Sequence, residues 1–158
     1  MGDAELEHLK EEIQWLRDVE EIKQLKARYC RIVDSQDWKA WGEEILTEDF
    51  HFESDGGVQE GRDAVVAFVS SALEGASTVH HCHTPEITIT GADTATGVWA
   101  MQDHVKMPGN GSPIMFRGAG HYYEDYVRTP QGWRIRSAVL KRLSVDMLQG
   151  QMTAAQSG

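Results

Sequence analysis

The chain has 158 residues, enough for one domain with a hydrophobic core, and its 41% hydrophobic and 25% charged residues are ordinary globular values. The formal net charge of −10 argues against nucleic acid and against an anionic membrane surface as partners. No basic, apolar leader opens the chain, and no run approaches the ~20 apolar residues of a membrane-spanning helix. We therefore expect a cytoplasmic protein, and the presence of only two cysteines fits a reducing compartment.

Apolar residues in the first third of the chain recur at helical spacing, in two stripes that do not share one register. The first stripe predicts an accessory N-terminal helix within residues 1–17. The second stripe predicts a first core helix over 19–34, either separate from the accessory helix or continuous with it. Asp18 followed by Glu21 matches the pattern of a capping box, which favours a helix start at residue 18.

Beyond residue 34 the pattern changes from helical spacing to alternation. Short helices are predicted around Trp38–Ile45 and over 62–74, on either side of a strand at Phe50–Glu53. From residue 78 the apolar period is two, which predicts four strands at 79–90, 94–106, 114–128 and 133–145. Helices followed by an antiparallel sheet are typical of an α+β domain with helices on one sheet face. We assign the domain to residues 18–146 and a flexible tail to 147–158.

Three histidines and a cysteine stand together in TVHHCHTPEI, residues 78–87. On a strand, alternate side chains point to opposite faces, so His81 and His83 can share a metal while His80 cannot join them. Nothing in the sequence nominates a third ligand for such a site. The cluster is open to three interpretations: a metal site, ordinary surface histidines, or one catalytic base with bystanders.

Five segments resemble the SnoaL-like branch of the nuclear transport factor 2-like superfamily, in both their order and their spacing. The resemblance covers about residues 19–145 and is carried by EIKQLKARYCRIVDSQDWKAW, FHFESDGGVQEGRDAVVAFV, TVHHCHTPEITITG, GVWAMQDHV and GHYYEDYVRTPQGWRIRSAVLKRL. It implies a curved antiparallel sheet wrapped round N-terminal helices to form a cone with a deep apolar pocket.

Within that superfamily the chain is similar to cofactor-independent lyases, which include bile-acid dehydratase, scytalone dehydratase and lindane dehydrochlorinase. The resemblance implies His80 as general base, Asp34 as its orienting carboxylate and Tyr29 as a hydrogen-bond donor, with no metal and no cofactor. Such a trio suits proton abstraction, because the carboxylate stabilises the imidazolium and the phenol supports developing negative charge. Helix periodicity alone separates Tyr29 and Asp34 by about 140°, so the fold must bring them to one pocket.

Further candidates for substrate binding lie on two of the predicted strands. Alternation in TATGVWAMQDHV puts Trp99, Met101 and Asp103 on one face, where Asp103 is either a pocket acid or a strand end in contact with solvent. In GHYYEDYVR we add Tyr122, although the pattern leaves open which face points inward. The many Trp, Tyr and Met residues indicate a bulky apolar or aromatic substrate.

The sequence leaves the reaction itself open. The same base serves a dehydratase, a C–C lyase releasing formaldehyde from a lignin-derived diaryl compound, or an isomerase or polyketide cyclase. A non-catalytic ligand-binding protein, or one like the small subunit of a dioxygenase, is the alternative from another class. We expect a homo-oligomer, with a trimer favoured and a dimer as the second choice, since a short apolar stripe within residues 1–17 needs a surface to pack on.

Overall fold

The computed structural model describes residues 2–108 and 114–148. Three helices and six strands follow one another as α1 (Asp3–Asp34), α2 (Trp38–Ala40), β1 (Leu46–Ser54), β2 (Gly57–Glu60), α3 (Arg62–Ala72), β3 (Ser77–Gly91), β4 (Thr94–Met107), β5 (Ile114–Thr129) and β6 (Gly132–Leu148), with a π-helical turn, Trp41–Ile45, between α2 and β1. Among these residues no helix is both long enough and apolar enough to cross a membrane.

Helix α1 is continuous, which is one of the two arrangements that the sequence left open, and the helix start that the capping-box pattern favoured at Asp18 is wrong. Instead of capping a helix, Asp18 lies in its middle and is buried, because its carboxylate pairs with Arg128 at 2.6 Å and accepts the indole N–H of Trp133 at 3.4 Å. Residues 2–17 are all exposed, and burial begins at Asp18. The accessory segment is therefore an extension of the core helix rather than a helix of its own.

The end of α1 is fixed by the residues that follow it. Gln36 has φ +57°, a left-handed conformation that stops the helix, and among the described residues it is the one non-glycine with positive φ. Its side-chain amide donates to the backbone carbonyls of Ala76 at 2.7 Å and Leu73 at 3.3 Å. These bonds hold the end of α1 against the segment that leads into β3, so Asp34 reaches the beginning of that strand.

The six strands form one curved, unclosed sheet in the order β2-β1-β6-β5-β4-β3. Four neighbouring pairs are antiparallel, and the fifth, β1 with β6, is parallel. The α+β cone predicted from the sequence is confirmed. The four-residue edge strand β2 was not predicted, and β6 continues to Leu148, so residues 147–148 belong to the sheet; the rest of the expected tail, 149–158, lies outside the described residues.

The core lies between α1 and the inner face of the sheet. Ile22, Leu25 and Ile32 of the helix are buried, and apolar residues from every strand except β2 are either buried with them or packed against the buried cluster. On β5 the inward set is Tyr122, Glu124 and Tyr126, which settles the choice that alternation left open. Two charged side chains in this core, Lys26 and Glu124, pair with each other.

The exposed half of α1 leads to a prediction about assembly. Five large apolar side chains there are between 38% and 58% exposed, namely Leu6, Leu9, Ile13, Trp15 and Leu16. We expect this surface to pack against other copies in a homo-oligomer, with a trimer favoured. The double substitution Ile13→Glu with Leu16→Glu should therefore lower the mass measured by light scattering at micromolar concentration. The exposed double variant Glu7→Gln with Glu12→Gln is the control. A mass near 17.7 kDa for the unaltered chain would contradict the prediction.

Candidate active site

Asp34 and His80 form a hydrogen-bonded pair between the end of α1 and the beginning of β3. Asp34 Oδ1 lies 2.7 Å from His80 Nδ1 and also accepts the hydroxyl of Thr78 at 2.9 Å, while Oδ2 accepts the backbone N–H of His80 at 3.0 Å. Burial on its own raises the pKa of the Asp34 carboxyl, but these three hydrogen bonds and the neighbouring imidazole outweigh it and hold the pKa below its usual value. Asp34 is therefore a carboxylate at neutral pH.

The pairing decides which nitrogen of His80 is free. A carboxylate only accepts hydrogen bonds, so Nδ1 must carry the proton that Asp34 accepts. In the neutral imidazole Nε2 then carries the lone pair, and the His80 side chain, 10% exposed, lines a cavity. An imidazole held in this tautomer by a carboxylate is arranged as a general base.

The cavity beside His80 has a volume of about 200 Å³ and a mixed lining. Four of the seven predicted site residues line it: Tyr29, His80, Asp103 and Tyr122. Asp34 stands behind His80 rather than in the cavity wall. Apolar side chains supply most of the remaining surface, namely Val33, Phe52, Phe68, Val69, Ala72, Leu73, Val105 and Leu140.

The two tyrosines of the cavity pack edge to face, with ring centroids 6.1 Å apart. Burial raises the pKa of both phenols above the ordinary value, in the case of Tyr29 well above it. Both side chains are therefore neutral phenols at physiological pH. A neutral phenol in a cavity wall is able to donate a hydrogen bond to a ligand oxygen.

Asp103 is the neighbour of His80 on the adjacent strand, β4, and forms a bidentate ion pair with Arg142 of β6. The guanidinium donates from Nη1 to Oδ1 at 2.9 Å and from Nη2 to Oδ2 at 2.5 Å. Burial alone raises the pKa of the Asp103 carboxyl, but the hydrogen bonds and charge of Arg142 outweigh this and lower the pKa. Asp103 is thus a buried carboxylate rather than the solvent-facing strand end that was the alternative.

Gly118 makes room for this ion pair. A Cβ atom at residue 118 would stand 1.8 Å from Arg142 Nη1 and 2.4 Å from Asp103 Oδ1, both far inside van der Waals contact. The guanidinium and the carboxylate therefore occupy the space that a side chain would need.

A second cavity of about 290 Å³ adjoins the first. The two share Asp103 and Arg142 together with Ala72, Leu73 and Val105, so the ion pair lies on the boundary between them. The second cavity continues to Phe116 and Val145 of β5 and β6. Together the two cavities are lined mainly by apolar side chains, with the Asp103–Arg142 ion pair at their junction.

Trp99 and Met101 line neither cavity. The Trp99 indole N–H donates to the Tyr126 hydroxyl at 2.7 Å, and that hydroxyl donates to Glu124. Met101 is buried in the core. The structure therefore does not bring these two predicted residues to the cavity of Tyr29 and Asp103, although Trp99 lines a separate groove that His80 also borders.

Lys26 lies directly behind the cavity tyrosines. Its ammonium pairs with Glu124 and stands 4.0 Å from the ring centre of Tyr29 and 3.8 Å from that of Tyr122. An ammonium at this distance over two aromatic faces is in cation–π contact with both. The position of the cavity tyrosines is thus linked to a fully buried charge pair.

His81 and His83 lie on the opposite face of β3 from His80, and both are exposed. Their rings are neighbours, with centroids 6.1 Å apart, but neither meets the Asp34 carboxylate. Within residues 2–108 and 114–148, no three His, Cys, Asp or Glu side chains are grouped to hold a metal ion.

Sequence reasoning missed Arg142, Thr78 and Lys26. Arg142 continues the inward alternation of Ala138 and Leu140, and that signal was present in the sequence. Lys26 sits in the apolar stripe of α1, where a charged residue is a signal of a buried partner.

Among known proteins, the chain is similar to a probable cyclase of Gibberella zeae, with 26% identity over 138 residues covering 80% of this chain and 92% of the relative. A solved NTF2-like protein with a cystatin-like fold from Novosphingobium aromaticivorans is 27% identical, with a TM-score of 0.68, over 90% of this chain and 92% of that one.

The hexachlorocyclohexane dehydrochlorinase LinA-type3 of Novosphingobium barchaimii has the same fold, with a TM-score of 0.75 over 91% of this chain and 99% of that one, at 15% identity. The sequence profile of the SnoaL-like domain matches residues 14–139, which is most of the chain. This protein therefore belongs to the SnoaL-like domain family, within the NTF2-like fold.

Proposed function

We propose that the protein is a cofactor-independent lyase that removes water from a bulky apolar or aromatic hydroxylated small molecule. The observation that carries the proposal is the Asp34–His80 pair, with its 2.7 Å hydrogen bond, in which His80 lines a cavity that Tyr29 lines as well. Names of cyclase and dehydrochlorinase among similar proteins support an enzyme over a carrier.

In the proposed reaction Nε2 of His80 removes a proton from a carbon that is made acidic by a neighbouring carbonyl group. Asp34 stabilises the imidazolium that forms, since its carboxylate remains bonded to Nδ1. The electron pair left on carbon forms a double bond as the C–O bond at the next carbon breaks. The imidazolium then returns its proton to the departing hydroxide, so that water leaves and the site is restored.

Tyr29 and Arg142 are the proposed donors to substrate oxygen. Tyr29 is kept neutral by burial, which suits a phenol that donates a hydrogen bond to a developing oxyanion. Arg142 borders both cavities and is aimed by its two bonds to Asp103. We therefore assign Asp103 to holding Arg142, Tyr122 to substrate contact, and Trp99 and Met101 to packing rather than to substrate.

Cyclisation is the second candidate reaction. The Gibberella zeae relative is named a probable cyclase, and ring closure of a polyketide-like chain starts with the same proton removal from carbon. The difference lies in the fate of the carbanion, which attacks a carbonyl in a cyclase and expels hydroxide in a dehydratase. Product analysis separates the two reactions.

A substrate screen tests the proposed function. We expect turnover of at least one member of a panel of hydroxylated steroids, aromatic polyketide-like diols and diaryl diols, detected by mass spectrometry as loss of water. Release of formaldehyde would indicate C–C cleavage, and an isomer of unchanged mass would indicate ring closure or a double-bond shift. Tight binding with no change in any compound would contradict the enzyme proposal in favour of a ligand-binding protein.

Substitutions at the pair should locate the base. We expect His80→Ala and Asp34→Asn each to reduce kcat by ~10²–10⁴-fold on the compound that the screen identifies, because the base or its orienting carboxylate is lost. His81→Ala is the matched control, since this histidine is adjacent but exposed on the other face of β3. Full activity in a folded His80→Ala protein, or loss of activity in His81→Ala, would refute the assignment.

The charge of Asp103 predicts a pH-dependent contribution to stability. Because the folded-state pKa of Asp103 is lowered, the unfolded chain binds more protons than the folded chain at pH values between the two pKa values. The stabilisation is therefore fully present above the unfolded-state pKa of ~3.9 and is lost as the pH falls below it. We expect Asp103→Asn to lower the free energy of unfolding by about 1–3 kcal/mol at pH 7. In urea titrations the gap between the two proteins should stay constant from pH 7 to 5 and shrink below pH ~4. If the difference in unfolding free energy between the two proteins did not change with pH, the pKa of Asp103 would be the same in the folded and unfolded states, which would contradict the prediction.

A further inference from the structure

Two cysteines from distant parts of the chain meet beside the candidate active site. Cys30 of α1 and Cys82 of β3 are 52 residues apart in sequence, and their Sγ atoms are 3.6 Å apart. Both are free thiols and both are partly exposed. A disulfide has an S–S length of about 2.05 Å, so the sulfurs need to approach by about 1.5 Å to form one.

The pair is accessible from outside the protein. A surface groove of about 440 Å³ is lined by both cysteines together with Lys26, His81, His83 and Trp99. The His80 side chain borders this groove as well as the cavity that holds Tyr29 and Asp103. A small oxidant in solution therefore reaches the thiols without passing through the substrate cavity.

We propose that Cys30 and Cys82 are an oxidation site, at which a peroxide converts the two thiols to an intramolecular disulfide. The disulfide would link α1, which carries Tyr29 and Asp34, to β3, which carries His80. The inference stands independently of the proposed reaction, because it concerns the thiols alone.

The chemistry balances with hydrogen peroxide as the oxidant. The Cys30 thiol first loses its proton, the resulting thiolate attacks one peroxide oxygen, and the O–O bond breaks to give a sulfenic acid and hydroxide, which takes up that proton to become water. Cys82 then attacks the sulfenic sulfur, the S–S bond forms, the S–O bond breaks, and the hydroxide leaves as water with the thiol proton of Cys82. Two thiols lose two electrons in total, and one peroxide becomes two waters.

The surroundings favour Cys30 as the attacking sulfur. The hydrogen bond with Cys82 and the nearby Lys26 ammonium lower the pKa of the Cys30 thiol to about 7, although burial opposes the shift. The pKa of Cys82 is raised instead, by the hydrogen bond with Cys30 and by burial. A thiolate paired with a neighbouring thiol that can displace hydroxide is the arrangement of a reversible redox pair.

The test begins with the unaltered protein and hydrogen peroxide. We expect peptide mapping without reductant to show a Cys30–Cys82 linked peptide, and thermal unfolding to shift upward by about 5–10 °C, because a cross-link across so long a loop restricts the unfolded chain. Dithiothreitol should reverse both changes. Persistence of two free thiols, or cross-links only between chains, would overturn the proposal.

Single substitutions identify the order of events. In Cys82→Ser the sulfenic acid at Cys30 has no partner thiol, so dimedone should label Cys30 stoichiometrically. In Cys30→Ser, the matched control, Cys82 should be labelled more slowly, because burial raises the pKa of its thiol and so disfavours the thiolate. Equal labelling of the two variants would refute Cys30 as the attacking sulfur. The linked peptide of the unaltered protein decides the site itself even where a variant does not fold.

Discussion

The carboxylate of Asp34 joins the helical and the β parts of the molecule at one point. It stands at the last residue of α1, where the helix dipole disfavours a negative charge. Three donors from β3 compensate, namely the Thr78 hydroxyl and the backbone and ring N–H groups of His80. Because the carboxylate is satisfied only when this helix end meets the beginning of β3, the geometry of the candidate base is a consequence of how the fold closes.

Helix α1 is attached to the sheet by charged residues as well as by its apolar stripe. Asp18 pairs with Arg128, Lys26 with Glu124, and Asp34 with His80, at intervals of eight residues along the helix. Burying a charge without its partner is costly, so a shift of the helix along the sheet would leave several charges unpaired. Apolar contacts tolerate small displacements, whereas these pairs specify one register.

Much of the fold followed from local pattern. Alternation from residue 78 onward predicted four long strands within a few residues of their observed bounds, since each has one buried face. The edge strand β2 was missed because four residues carry too little pattern, and the parallel pairing of β1 with β6 joins segments that are distant in sequence. Asp18 does not cap a helix because its carboxylate pairs with Arg128, and a partner more than a hundred positions away could not be read from the local pattern.

The candidate site was predictable only in part, and for a similar reason. His80 and Asp34 were named from the family resemblance, and whether they carry out catalysis stays a prediction. Arg142 was missed because arginine is most often exposed, although its position continues the inward alternation of Ala138 and Leu140. Trp99 shares a strand face with Asp103, but its indole meets Tyr126, since a shared face does not ensure a shared cavity.

The absence of a side chain at residue 118 constrains how this sequence can change. Since a Cβ there would overlap both Arg142 and Asp103, the three positions cannot vary independently. A relative with a larger residue at the position of Gly118 must hold the carboxylate and the guanidinium in another conformation, replace one of them, or change the path of the strand. Substitutions at these three sites are therefore expected to be strongly epistatic, so that the order in which they arise determines which cavities related chains can evolve.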